Sequence, residues 1–247
     1  MLNDIFTILW KEFSETMKNR QGMRGGWTSY LLIVGVMGIF IPWQMGKTWL
    51  SDPRQLLYWS WMPILLALSQ VTDSFAGERE RRTLETLLST RLSDQAILIG
   101  KLLAVVLYAW SMTLGSLVIG AVTINVAFPT GTIQFYPALN FITGLLISFL
   151  AALLISSIGV LVSLKSSSVR QAYQRMSLVM IGLWFLPMLA LQVIPESVKE
   201  KLVVALSNLD LVSVVQWGIV ILVVLDVLLV WVNQRVFRRS RLLLDRK

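Results

Sequence analysis

Six stretches of this chain are apolar and long enough to cross a ~30 Å hydrocarbon core, for which a helix needs about 20 residues. They are Trp27–Met45, Leu56–Phe75, Ile97–Phe128, Pro137–Leu164, Met176–Ile194 and Leu211–Trp231. The pattern predicts an all-α integral membrane protein with six transmembrane helices. The third stretch is long for one span, which calls for a tilt, a kink near Gly115 and Gly120, or projection beyond the bilayer. Pro187 is placed to kink the fifth. Only 15% of the residues are charged, against about 25% in soluble domains. Cysteine is absent, which excludes a disulfide framework or thiolate metal site and leaves the redox compartment open. Histidine is absent as well, removing the commonest general base, metal ligand and proton relay.

The basic residues set the orientation. Six spans put both termini on one side, with the second-to-third and fourth-to-fifth connections. Of the 22 Lys and Arg residues, only Lys47, Arg54, Lys199 and Lys201 fall on the other side. Both termini are therefore expected in the cytoplasm, with the chain in the cell (inner) membrane. The net charge of +8 reads as a topology and lipid-headgroup signal, with no nucleic-acid partner implied. Residues 1–26 are charged and lack a continuous apolar core, so no cleavable signal peptide is expected. Their Leu2, Ile5, Phe6, Leu9, Phe13 and Met17 recur at three- and four-residue steps, with Asp4, Lys11, Glu12, Glu15 and Lys18 mostly off that stripe. An interfacial amphipathic helix is expected there, the alternative being a helix packed on another protein.

Between the second and third apolar stretches lies Gly77–Arg91, GERERRTLETLLSTR. Gly77 is a helix stop for the second span. Leu84, Leu87, Leu88 and Leu92 then share one helical face, while Glu78, Arg79, Glu80, Arg81, Arg82 and Glu85 occupy the rest. Glu78 and Arg82 stand in the favourable i,i+4 order, and Arg82 also reaches Glu85. Ser93 suits the N-cap of the third span, with Asp94 in its positive first turn. The expectation is a leucine-anchored cytoplasmic surface helix over about 78–92; on charge alone, an ordinary solvated connection is the better account.

The segment GERERRTLETLLSTRLSDQAILIGK resembles the signature of ABC-2-type exporter permeases, membrane subunits of a class of ATP-binding-cassette transporter. Glu78-Arg79-Glu80, Thr83-Leu84-Glu85, Leu87-Leu88, Thr90 and Gly100-Lys101 fit that pattern. Two positions depart: Arg82 stands where glycine is common, and Arg91 where proline is common. The six-span topology, the N-terminal helix and the loop Leu164–Gln174 fit as well, so the resemblance covers nearly the whole chain. It implies that Glu78, Arg79, Glu80, Arg81, Arg82, Thr83, Leu84, Glu85, Leu87, Leu88 and Arg91 form a coupling helix docking on a cytoplasmic ABC ATPase subunit. Arg170 and Gln171 are a weaker second contact, with headgroup binding as the alternative.

No phosphate-binding loop, GxxxxGK[ST], is present. Gly46-Lys47-Thr48 fails because Ile41 stands at the first glycine, and Gly100-Lys101 fails because Gln95 does and Leu102 follows. No HExxH or GxSxG signature occurs either. The chain is thus expected to be a transport subunit rather than an enzyme, carrying no cofactor, with ATP and Mg bound by the partner ATPase. A second permease copy or paralogue is expected to complete a dimer among membrane lipids.

Gly144, Ser148, Ala152 and Ser156 repeat every four residues, a stripe permitting close helix packing, more readily within the chain than across a dimer. Ser197–Glu200 opens a capping-box pattern for a short outer helix over about 196–207, either re-entrant or lying on the surface. Asp226 and Asp73 are intramembrane charges, expected to pair with basic groups near the cytoplasmic face. Trp43, Trp49, Trp59 and Trp61 read as an outer aromatic belt. The domain reading is a cytoplasmic interfacial helix (1–26), a six-span domain (27–233) and a basic cytoplasmic tail (234–247). The rival functions are a non-transporting membrane anchor that recruits a cytoplasmic partner, and an ion-coupled secondary carrier.

Overall fold

The computed structural model describes residues 2–22, 26–199, 201 and 210–237, and among these there is no strand. The elements are α1 (Leu2–Gly22), α2 (Gly26–Gly35), α3 (Ile41–Met45), α4 (Thr48–Ser51), α5 (Leu56–Glu80), α6 (Leu84–Leu88), α7 (Asp94–Ala127), α8 (Ala138–Leu164), α9 (Val169–Val193) and α10 (Leu211–Val236). Three helices among the described residues are long and apolar enough to cross a membrane: Asp94–Ala127, Ala138–Leu164 and Val212–Val236. α5 and α9 match two further apolar stretches in length, but each carries polar residues at the charged end: Gln70, Thr72, Asp73 and Ser74 on α5, and Arg170, Gln171, Gln174 and Arg175 on α9.

The first stretch is interrupted. Val36–Phe40 forms a π-helical turn between α2 and α3, which frees carbonyl groups from the regular ladder. The Thr123 hydroxyl donates to one of them, Gly38 O, at 3.1 Å. α7 shows no break at Gly115 or Gly120; its 34 residues span about 51 Å at 1.5 Å per residue, well beyond a bilayer core. α9 likewise runs through Pro187 as one helix.

The main core packs α5 against α7, α8 and α9, with α1 laid on α7 and α10 on α8. The small-residue stripe of α8 faces inward: Ser148, Ala152 and Ser156 are fully buried. Gly144 leaves the space that the Trp59 ring of α5 fills, and a Cβ there would overlap it. Ser163 closes the same pair at the charged end. Its hydroxyl donates to Thr72 O at 3.1 Å and accepts from the N–H groups of Phe75 and Ala76 at 3.1 and 2.9 Å.

A second core at the opposite end contains Trp49, Leu50, Trp59, Leu117, Ala121, Ile124 and Tyr136. Trp49 Nε1 donates to the Tyr136 hydroxyl at 2.9 Å, which donates onward to Leu117 O at 3.0 Å. Trp49 and Trp59 are therefore core residues and not members of an aromatic belt, because each ring fills interhelical space; Trp43 is exposed.

Of the expected outer helix, residues 196–199 are helical, while 200 and 202–209 lie outside the described residues, as does the basic tail from 238 onward.

Candidate functional site

The charged end of the bundle is organised by the last turn of α5. Gly77 does not stop this helix; it continues to Glu80. Gly77 is needed there for close approach, because the Asp73–Arg81 ion pair, 3.1 Å long, crosses directly over it. Asp73 thus finds its basic partner in Arg81, the residue that caps the C-terminus of its own helix. The next three residues each bind a different element. Glu78 reaches α1 and α7, as described below. Arg79 donates to Ser166 O at 2.7 Å and Leu164 O at 3.0 Å, satisfying carbonyls left open at the C-terminus of α8. Glu80 accepts from the backbone N–H of Val169 at 3.0 Å, where the positive end of α9 favours a carboxylate.

Glu78 is 2% exposed and Lys101 is 1% exposed. Lys101 Nζ donates to Glu78 Oε1 at 2.9 Å, to Glu12 Oε1 at 2.6 Å and to Ser74 O at 2.8 Å. All three ammonium protons are thereby used. Lys11 Nζ reaches the same Glu78 oxygen at 2.8 Å and lies 3.5 Å from Glu15. Burial pushes the Glu78 carboxyl up, but the Lys101 charge and hydrogen bonds from Lys11 and Lys101 outweigh it, so its pKa lies below the ordinary 4.5. For Lys11, burial lowers and Glu78 raises; the net shift is upward.

This knot corrects two expectations. Glu78 offers no surface carboxylate, and its partners are Lys101 and Lys11 rather than Arg82, because α5 turns it inward. Helix α1 also packs differently from its apolar stripe. Ile8, absent from that stripe, is buried against Gly100, where a Cβ would meet its side chain at 2.8 Å. Phe6, Trp10 and Phe13 stay exposed, leaving an apolar face opposite the ion pairs.

Beyond Glu80 the chain leaves the helix at Arg82, which has φ +58°. This left-handed region favours glycine. The expected helix over 78–92 is therefore broken: its first part ends α5, and only Leu84–Leu88 forms a separate helix. Leu84 and Leu87 are buried in the main core; the side chain of Leu88 lies outside the described set. Arg82, Thr83, Glu85, Thr86, Ser89, Thr90 and Arg91 are exposed. Ser93 caps α7, accepting from Ala96 N at 3.2 Å, with Asp94 in the first turn.

In the neighbouring turn, the Gln171 side chain accepts from Ser167 N at 2.8 Å and from its hydroxyl at 3.0 Å. It braces the α8–α9 turn. Arg170 is exposed beside Glu80, Val169, Tyr173 and Gln174, which line an open groove. Asp226 lies apart from this surface, on α10. Among the described residues the expected basic partner is not found, and both carboxylate oxygens lack a hydrogen-bond partner there.

The sequence profile of the ABC-2 family transporter protein matches residues 60–216, more than half of the chain. The chain belongs to the ABC-2 transporter family. With three helices of spanning length and apolarity, this ABC-2 chain is an all-helical, multi-pass membrane protein. It is similar to the ABC transporter permease protein NatB of Bacillus subtilis (strain 168), at 35% identity over 133 residues. That match covers 51% of this chain and 31% of the relative, so under a third of the relative's length is spanned.

At the positions that carried the resemblance, Gly100 admits Ile8, Lys101 closes on Glu78, and Arg82 takes a positive φ. Sequence reading missed Lys11, Glu12 and Lys101 as one cluster. The available signal was Gly100-Lys101, a cation about two turns inside a largely apolar helix.

Proposed function

We propose that this ABC-2 chain is the membrane-spanning permease subunit of an ATP-driven exporter, and that α6 with its flanking turns couples it to a separate cytoplasmic ATPase. One observation carries the reading. Exposed Glu85 and Thr86 stand on a short helix, with exposed Arg82 and Arg91 in its flanking turns, and its base, Leu84 and Leu87, is buried next to a root that joins α1, α5, α7, α8 and α9. A partner pressing on α6 would move that root as a rigid body instead of bending a loop. Opposed charges on the exposed face suit partner choice and orientation.

In this reading the chain crosses the inner membrane six times with both termini cytoplasmic. An interfacial segment (1–26) precedes the six-span domain (27–233) and a basic tail (234–247). The charged end then faces ATP. The partner binds ATP and Mg, and this chain hydrolyses nothing. A second permease copy or paralogue completes the pathway.

The test is reconstitution with the partner ATPase. Reversing Glu85 and Arg91 together is expected to lower association and stimulated ATP hydrolysis at least about tenfold, since interface charges set encounter and register. The melting temperature should move little, because both side chains are exposed and surface contacts of charged groups contribute about 0–1 kcal/mol. Unchanged association and turnover would overturn the coupling role.

A further inference from the structure

Helices α8 and α10 lie side by side, and Asn233 Nδ2 donates to Ser157 O at 3.0 Å where they touch. Two turns away they part to leave an open groove of about 390 Å³, within the range of pockets that hold drug-sized molecules, about 300–1,000 Å³. Apart from Asp226 its walls are mostly apolar, with Leu150 and Leu153 from α8 and Val223, Val227 and Trp231 from α10, and the neutral amide of Gln234 is the other polar group in the lining. Set into this lining is Asp226, 3% exposed, with neither carboxylate oxygen hydrogen-bonded among the described residues.

A carboxylate at such a position costs about 2.5–3.5 kcal/mol unless matched. Neither wall supplies the match. Helix α8 has no charged residue between Ala138 and Leu164. On α10 the basic group is Arg235, which stacks on the Trp231 ring at 4.4 Å and lies nine residues, about 13 Å, along the helix from Asp226. A neutral lipid tail would fill the walls and leave the carboxylate unmet, whereas a small hydrated cation would leave the walls unused. A ligand with one positive charge on an apolar body meets both.

The geometry points to the α8–α10 groove as a binding site for lipid-soluble organic monocations, with Asp226 as the countercharge. As a station for an exported substrate the site rests on the permease reading; as a binding site it does not.

The full chain in phospholipid nanodiscs, titrated with tetraphenylphosphonium and with neutral triphenylphosphine oxide, tests this. Saturable tetraphenylphosphonium binding above lipid partition is expected, weakened at least tenfold by Asp226→Asn and largely retained in Asp226→Glu. Leu153→Trp, which fills the groove and leaves the charge, should weaken both probes and guards against a misfolded Asp226→Asn. Equal tetraphenylphosphonium binding by wild type and Asp226→Asn would overturn the proposal. So would an absence of saturable binding, including the case where Asp226→Asn instead converts a dimer to a monomer and so assigns the carboxylate to a second copy. Charge-dependent binding without ATP-driven tetraphenylphosphonium transport supports the site and counts against the permease reading alone.

Discussion

Glu78 and Lys101 lie 23 positions apart and meet in a buried ion pair of 2.9 Å, which joins the end of α5 to the start of α7. Glu12 shares the same ammonium, so α1 is fastened to the same point. Three helices that approach the charged end from different parts of the chain are thereby held in one register.

Removing Lys101 should be severe. Lys101→Met leaves Glu78 and Glu12 facing each other in a buried site, and breaking a buried pair costs about 3–5 kcal/mol. Lys11 still reaches Glu78, which places the expected loss near the lower figure. Adding Glu78→Gln to Lys101→Met should recover part of it. Thermal unfolding of the detergent-purified single and double variants checks this; an additive double variant would show that the pair is not coupled.

The same cluster sets a pH window. Glu78 has a folded pKa below its ordinary 4.5, so its contribution is present above that value and is lost as pH falls through the folded pKa. Lys11 is shifted upward from 10.5, so its contribution is present below that value and is lost as pH rises through the folded pKa. A stability plateau between these limits is expected, with the acid limb flattened in Glu78→Gln. Melting temperature measured across pH, wild type against variant, reads it.

Arg82 holds a conformation that costs an L-residue about 1–2 kcal/mol. Arg82→Gly relieves that strain and adds about 0.5–1 kcal/mol of unfolded-chain entropy. The net expectation is stabilisation of up to about 1 kcal/mol, seen as a higher melting temperature. Arg82→Ala, which keeps the Cβ, should give no such gain.

The contact of α1 with α7 depends on Gly100, where an added Cβ would meet Ile8 at 2.8 Å. Gly100→Val should displace α1 and break the Glu12–Lys101 contact with it. Faster proteolysis within residues 1–26, with the remaining bundle intact, is the expected readout. Ile8→Ala in the Gly100→Val background should restore protection.

The longest apolar helices and the Ser93 cap were legible in the residues themselves, because hydropathy and 3.6-residue periodicity are local properties, whereas the end of α5 past Gly77 and the break at Arg82 were not. The Ser93 cap, the buried Leu84 and Leu87 and the inward small-residue stripe of α8 all follow from spacing along one helix. Which charges are surface and which are structural was not legible. Periodicity places a side chain on a face but does not say what lies opposite. Glu78, Arg79 and Glu80 read alike as solvated charges, yet each meets an element far away in sequence. A carboxylate is tolerated in such a place only when its partner arrives with another helix. Tertiary packing alone decided that Glu78 would have Lys101, and that Asp226 would have no partner among the described residues.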